Sequence, residues 1–132
     1  MRLSYQADDN SLRLTLDRET GVAQRQVTLD GYVDMGVGGR IVGIEALPQD
    51  GFDLATALGP WLKDDTASDY VSLEGGSAYI EMSVPEEADV REQIRAVPAA
   101  FAAEIDDAGR LLAISIPRHG NGYEISYPSG NQ

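Results

Sequence analysis

Glu45 is the acid best placed to do chemistry, because it stands in an otherwise apolar run, Ile41-Val42-Gly43-Ile44-Glu45-Ala46-Leu47, where strand alternation puts it on one face with Gly43 and Leu47. Hydrolysis of the glycosidase type needs two carboxylates at a fixed separation, one of them with a raised pKa. Glu45, Asp34, Asp8 and His119 are the groups around which a small hydrolase or divalent-metal enzyme would be built. An exposed strand face, or a pairing of Glu45 with Arg40, explains the same acid more simply. Three acidic pairs, Asp8-Asp9, Asp64-Asp65 and Asp106-Asp107, fall in loop-like stretches without the Asp-x-Asp-x-Asp-Gly spacing of a calcium loop. They read as turn formers. His119, the single histidine, sits between Arg118 and Gly120 near Ser115 and Ser126, with no Gly-x-Ser-x-Gly elbow to activate a serine. With one histidine and no cysteine, a metal would rest on carboxylates alone. Gly36, Gly38 and Gly39 lack the helix and lysine of a phosphate loop and read as a turn, so neither a metal nor a cofactor is expected.

These groups are carried by a chain of 132 residues with a formal net charge of −12. Six basic residues face eleven acidic ones up to Thr66, and four face eleven after it, so both halves are acidic. Such a field repels phosphate backbones and anionic lipid; it favours solubility or a basic protein partner over nucleic acid or membrane. The absence of cysteine removes disulfides and thiol chemistry. No apolar run approaches the roughly 20 residues that span a bilayer, and the N-terminal MRLSYQADDN lacks a signal-like stretch, so the chain reads as soluble and cytoplasmic.

The elements that must position the candidates form a repeat. At an offset of 70 residues, Gly39-Arg40-Ile41-Val42-Gly43-Ile44 falls on Gly109-Arg110-Leu111-Leu112-Ala113-Ile114, and Asp34 and Met35 fall on Glu104 and Ile105. Nearer each start the offset is 66, placing Ser11-Leu12-Arg13-Leu14-Thr15-Leu16 on Ser77-Ala78-Tyr79-Ile80-Glu81-Met82, with an insertion around Pro85 to Ala88. Leu12, Leu14 and Leu16 alternate with polar residues as in a half-buried strand. Each unit reads as a meander ending in a hairpin: Val27 to Met35 returning through Ile41 to Ile44, and Phe101 to Ile105 returning through Leu111 to Ile116. Gly109 supplies the left-handed position of the second turn. Residues 85–98 carry two signals, since Val90, Ile94 and Val97 share a helix face while the counterpart from Val22 to Leu29 is strand-like. The repeat favours strand.

Between the units, 49–66 reads as a helix capped by Asp50 or Asp53 and broken at Gly59-Pro60. One stripe holds Phe52, Ala55, Leu58 and Leu62, its neighbour Leu54, Leu58 and Trp61. A final alternating strand, Tyr123 to Tyr127, precedes a frayed tail. Two units of about 60 residues are each too small for a comfortable core, so they are expected to share one.

The residues Tyr5 to Leu12 and Gly38 to Glu45 resemble the small bacterial YuzE-like domains of unknown function, which open on tyrosine-aspartate and close on a glycine-arginine turn and a Val-Gly-Ile-Glu strand. The second unit keeps Glu104 to Leu112 but has Ala113 and Ser115 where that pattern has glycine and glutamate. The resemblance implies a bent antiparallel sheet with a helix and brings no catalytic residue. The chain is therefore expected to be α+β and mostly antiparallel β, with two meander repeats in pseudo-twofold packing: 1–48, a helical linker 49–66 packed on the core, and 67–132 with an extra strand. Its expected role is a non-enzymatic structural or protein-interaction module, monomeric or a weak homodimer, with Asp34, Arg40, Glu45, Tyr5 and Asp8 as candidate binding residues.

Overall fold

Leu12 and Leu14 are wholly buried while Arg13 and Thr15, which alternate with them, reach solvent, and this two-residue period runs through the described strands. A computed structural model of the chain describes residues 1–8, 10–17, 21–36, 41–82 and 95–117. The strands are β1 (Arg2–Gln6), β2 (Ser11–Thr15), β3 (Arg25–Met35), β4 (Ile41–Ala46), β5 (Val71–Glu74), β6 (Ser77–Glu81), β7 (Arg95–Ile105) and β8 (Leu111–Pro117). All eight belong to one antiparallel sheet in the order β1-β2-β8-β7-β3-β4-β6-β5.

That order corrects the expectation of two meanders. β2 does not lie beside β3, nor β6 beside β7; instead β2 pairs with β8 and β4 with β6. The hairpins were legible because short turns make neighbours in sequence neighbours in space. What lies beyond a hairpin depends on which apolar face it must cover, and that is decided by long-range packing. At the centre β3 and β7, each eleven residues long, pair along their whole length, with Arg25 opposite Ile105 and Met35 opposite Arg95. The β3–β4 ladder shifts register between Asp34 and Met35, and the β7–β8 ladder between Glu104 and Ile105.

Leu12, Leu14, Leu29, Ile44, Phe101, Ile114 and Ile116 fill one face of the sheet. The other side of this core comes from the segment after β4, which forms two short helices, α1 (Leu54–Ala57) and α2 (Gly59–Lys63), then a 3-10 turn, Ser68–Tyr70. Of the two expected cap residues it is Asp53 that caps α1, accepting from the Ala55 and Thr56 amides at 3.0 and 3.4 Å. Pro60 stands in the first turn of α2, where a missing N–H costs nothing. Of the two predicted stripes, Leu54, Leu58 and Trp61 go inward, while Ala55 and Leu62 stay exposed. Trp61 donates its indole N–H to the Leu111 carbonyl at 2.9 Å, tying the helical segment to β8.

Within 85–98, Arg95 to Pro98 belong to β7 and are strand, while 83–94 lie outside the described residues, as do most of the Gly36 to Gly39 turn, the strand expected at 123–127 and the tail. Gly109 takes φ +82°, the left-handed value its turn required. Among the described residues no helix is long and apolar enough to cross a membrane.

Candidate functional site

The outer face of the sheet, opposite the core, carries two of the candidate side chains, Asp34 and Glu45. On β3 the outward set is Thr28, Asp30, Tyr32 and Asp34, because Leu29, Gly31, Val33 and Met35 alternate inward. β4 presents Gly43 and Glu45, and β6 presents Ser77, Tyr79 and Glu81. Register then brings them together: Asp34 faces Gly43, Glu45 lies between Tyr32 and Tyr79, and Gly43 faces Glu81. Strand alternation fixes which face each occupies, and strand pairing fixes which acids are neighbours.

Tyr79 crosses β4 and donates its hydroxyl to the Asp34 carboxylate. Gly43 makes the crossing possible, since a Cβ there would lie 2.7 Å from Tyr79 Cζ and 2.8 Å from the Ile80 carbonyl oxygen. Partial burial pushes the Asp34 carboxyl above the ordinary aspartate range, and the Tyr79 hydrogen bond pulls part of the way back.

A second crossing occurs over β8. Arg13 of β2 reaches Glu104 of β7 with Nε at 3.0 Å from Oε2 and Nη2 at 3.3 Å from Oε1, a two-point pair with both side chains about one-third exposed. Ser115 faces Arg13 and Ala113 faces Glu104, so here the strand beneath the bridge carries Ala113 and Ser115 where β4 carries Gly43 and Glu45. One crossing neutralises its carboxylate with a guanidinium. The other covers it with a phenol, with Glu45 on the adjoining strand.

Asp34 and Glu45 are thus brought together. Tyr5 and Asp8 are not: Tyr5 lies on edge strand β1, four strand spacings of roughly 4.8 Å from β3, so about 19 Å away measured along the sheet. Its hydroxyl donates to Asn10 Oδ1 at 3.0 Å, and Asp8 is exposed in the turn that follows. Arg40 and His119 lie outside the described residues. Sequence reading missed Tyr79. Its outward position was legible from alternation, but its reach to Asp34 depends on the β4–β6 pairing.

Two of the acidic pairs do form turns. Asp64 accepts from the Thr66 amide and hydroxyl at 2.8 and 2.6 Å, and these bonds hold its carboxyl below the ordinary range. Asp106, 5 % exposed, accepts from the Ala108 and Arg110 amides, each at 2.9 Å, and pairs with Arg110 Nε at 2.7 Å. The amide of Arg110, foremost, holds Asp106 low. Among the described residues no group of three or more His, Cys, Asp or Glu side chains is placed to hold a metal ion.

Open grooves flank the helical segment instead. One of about 680 Å³ runs past Thr56, Pro60, Lys63, Ala108 and Arg110, another of about 420 Å³ past Asp17, Lys63 and Asp64, and a third of about 360 Å³ past Pro48, Phe52 and Leu73. Asp34, Glu45 and Tyr79 line none of the three. No family model matches the chain, and no curated protein or solved structure matches it either.

Proposed function

We propose that this chain is a non-enzymatic protein-interaction module made of two fused YuzE-like repeats, 1–48 and 67–132, joined by 49–66. The observation that carries the two-repeat reading is the strand order. With β1 to β4 matched to β5 to β8, the series β1-β2-β8-β7-β3-β4-β6-β5 reads the same from either edge. Register supports it residue by residue. Arg25 and Met35 match Arg95 and Ile105 at the offset of 70, and the central ladder pairs each with the other's counterpart. Leu14 faces Ile114 and Ile80 faces Ile44, which are the same pair under offsets of 66 and 70. The two register shifts are also 70 residues apart.

Fusion makes a concentration-dependent pairing intramolecular and leaves each repeat free to diverge. The divergence lies on the outer face, where Asp34, Glu45 and Glu81 surround Tyr79 while the matching place carries the Arg13–Glu104 pair. With Asp30 beside them on β3, these acids suit a basic protein partner and repel phosphate and anionic lipid.

The test is affinity purification with the tagged chain and a triple variant, Asp30→Asn with Asp34→Asn and Glu45→Gln, both verified to melt cooperatively. A stoichiometric basic partner is expected with the native chain, to be lost with the triple variant and at high salt. A partner held equally by both chains would place the interface elsewhere.

A further inference from the structure

Among the described residues, neither half of the chain forms a continuous sheet by itself. β1–β2 and β3–β4 of the first half are separated by β8–β7 of the second, and β7–β8 are separated from β6–β5 by β3–β4. The ladders that unite the sheet, β2–β8, β3–β7 and β4–β6, all run between the halves. Each half is therefore the partner that the other needs, and the covalent link contributes nothing to those ladders.

The link has a definable hinge. Leu47 is fixed to the first half by its amide hydrogen bond to the Asp30 carbonyl at 2.9 Å. Trp61 fixes the helices to the second half through Leu111. Between them Pro48, Gln49, Asp50 and Gly51 are exposed, in a turn closed by a Gln49–Phe52 bridge, with Gly51 at φ +78°.

We infer that two copies of this chain can exchange halves, so that β1–β4 of one copy completes the sheet of the other's β5–β8, with the hinge at 48–53. This rests on the two-repeat reading. Exchange preserves every ladder and the Trp61 contact and changes only the hinge, so the closed monomer is favoured at dilution by its tether and the exchanged dimer by concentration.

Gly51→Pro tests this in the full chain, because proline's φ near −65° is incompatible with the closed turn. Refolded at high concentration, this variant is expected to be a dimer of twice the 14.2 kDa chain mass with native Trp61 fluorescence. A folded monomer overturns the inference. Should the variant fail to fold, complementation decides: full chains carrying Leu29→Asp and Phe101→Asp, each unable to close its own core, are refolded together. Exchange returns up to half of the native fluorescence, since one unit then combines two intact halves, and a signal no greater than the sum of the separate chains overturns the inference. A Thr28→Cys, Ala102→Cys chain separates this from the two-repeat reading, because those positions face each other across β3 and β7. An intrachain disulfide without exchange leaves the repeats standing; no disulfide removes the register on which both rest.

Discussion

Gly43 and Ala113 differ by one methyl group, and its absence at Gly43 is what lets the Tyr79 ring cross that strand. At Gly43 a Cβ would meet both the Tyr79 ring and the Ile80 carbonyl oxygen, so Gly43→Ala must expel Tyr79 from its hydrogen bond to Asp34 and strain the β4–β6 ladder. Overpacking of this kind costs about 1–3 kcal/mol. Urea unfolding is expected to show that loss, with partial recovery in Gly43→Ala, Tyr79→Ser; recovery is partial because Ile80 contributes backbone, which a shorter side chain at 79 does not move. Asp34 itself opposes stability at neutral pH. Its folded pKa is raised, so the native state binds the proton more tightly than the unfolded chain does, and stability falls as pH rises from the ordinary aspartate value of about 3.9 through the raised one. Asp34→Asn is therefore expected to be no less stable than the native chain at pH 7 and to lose its advantage below about pH 3.9. Thermal melts across that range check the sign. Asp64 and Asp106 act oppositely, since their lowered values contribute stability that is present above the ordinary value and lost as pH falls.

At the scale of elements, the helical segment is the piece whose role is clearest. Its periodicity offered two stripes, and the one containing Trp61 prevailed because an indole has both the largest apolar area to bury and an N–H that must find an acceptor when buried. It finds the Leu111 carbonyl at the start of β8, next to the register shift in the β7–β8 ladder. Trp61→Phe keeps an aromatic ring there and removes that hydrogen bond, so a loss of about 1 kcal/mol is expected in urea unfolding. Hydrogen exchange should localise the weakening to Leu111 and its neighbours. A uniform change across all strands would mean that the anchoring role is misplaced. The strands were legible individually: alternation marked Leu12 to Leu16, and the glycine turns marked the hairpins. In the segment 85–98 the helical spacing of Val90, Ile94 and Val97 gave way, over Arg95 to Pro98, to pairing with Tyr32 through Met35. Tertiary pairing overrides a local helical pattern when the alternative is an unpaired central strand.

For the whole molecule, charge and topology are separate matters. A net charge of −12 on 132 residues opposes compaction through self-repulsion, which salt screens over a Debye length of about 10 Å at 0.1 M. The melting temperature is expected to rise as sodium chloride increases from low concentration. A fall would mean that pairs such as Arg13–Glu104 outweigh the net repulsion. The same acidity underlies the proposed basic partner at the outer face of β3, β4 and β6, whereas the interleaved order of the strands underlies the proposed exchange of halves.

The sequence by itself determined what is local or periodic: which residues face inward, where the chain turns, that Asp53 or Asp50 starts a helix and that Asp64-Asp65 and Asp106-Asp107 serve turns. It also contained the match of Gly43-Ile44-Glu45 to Ala113-Ile114-Ser115. Only the tertiary structure decided that β2 lies against β8, that Asp34 and Glu45 share a surface while Tyr5 and Asp8 stand apart at the sheet edge, and that Tyr79 covers Gly43. Alternation is a property of one strand's backbone and is written in consecutive residues. Strand adjacency is a choice among many similar apolar faces, made by the combination that closes a single core, and no short stretch of sequence encodes it.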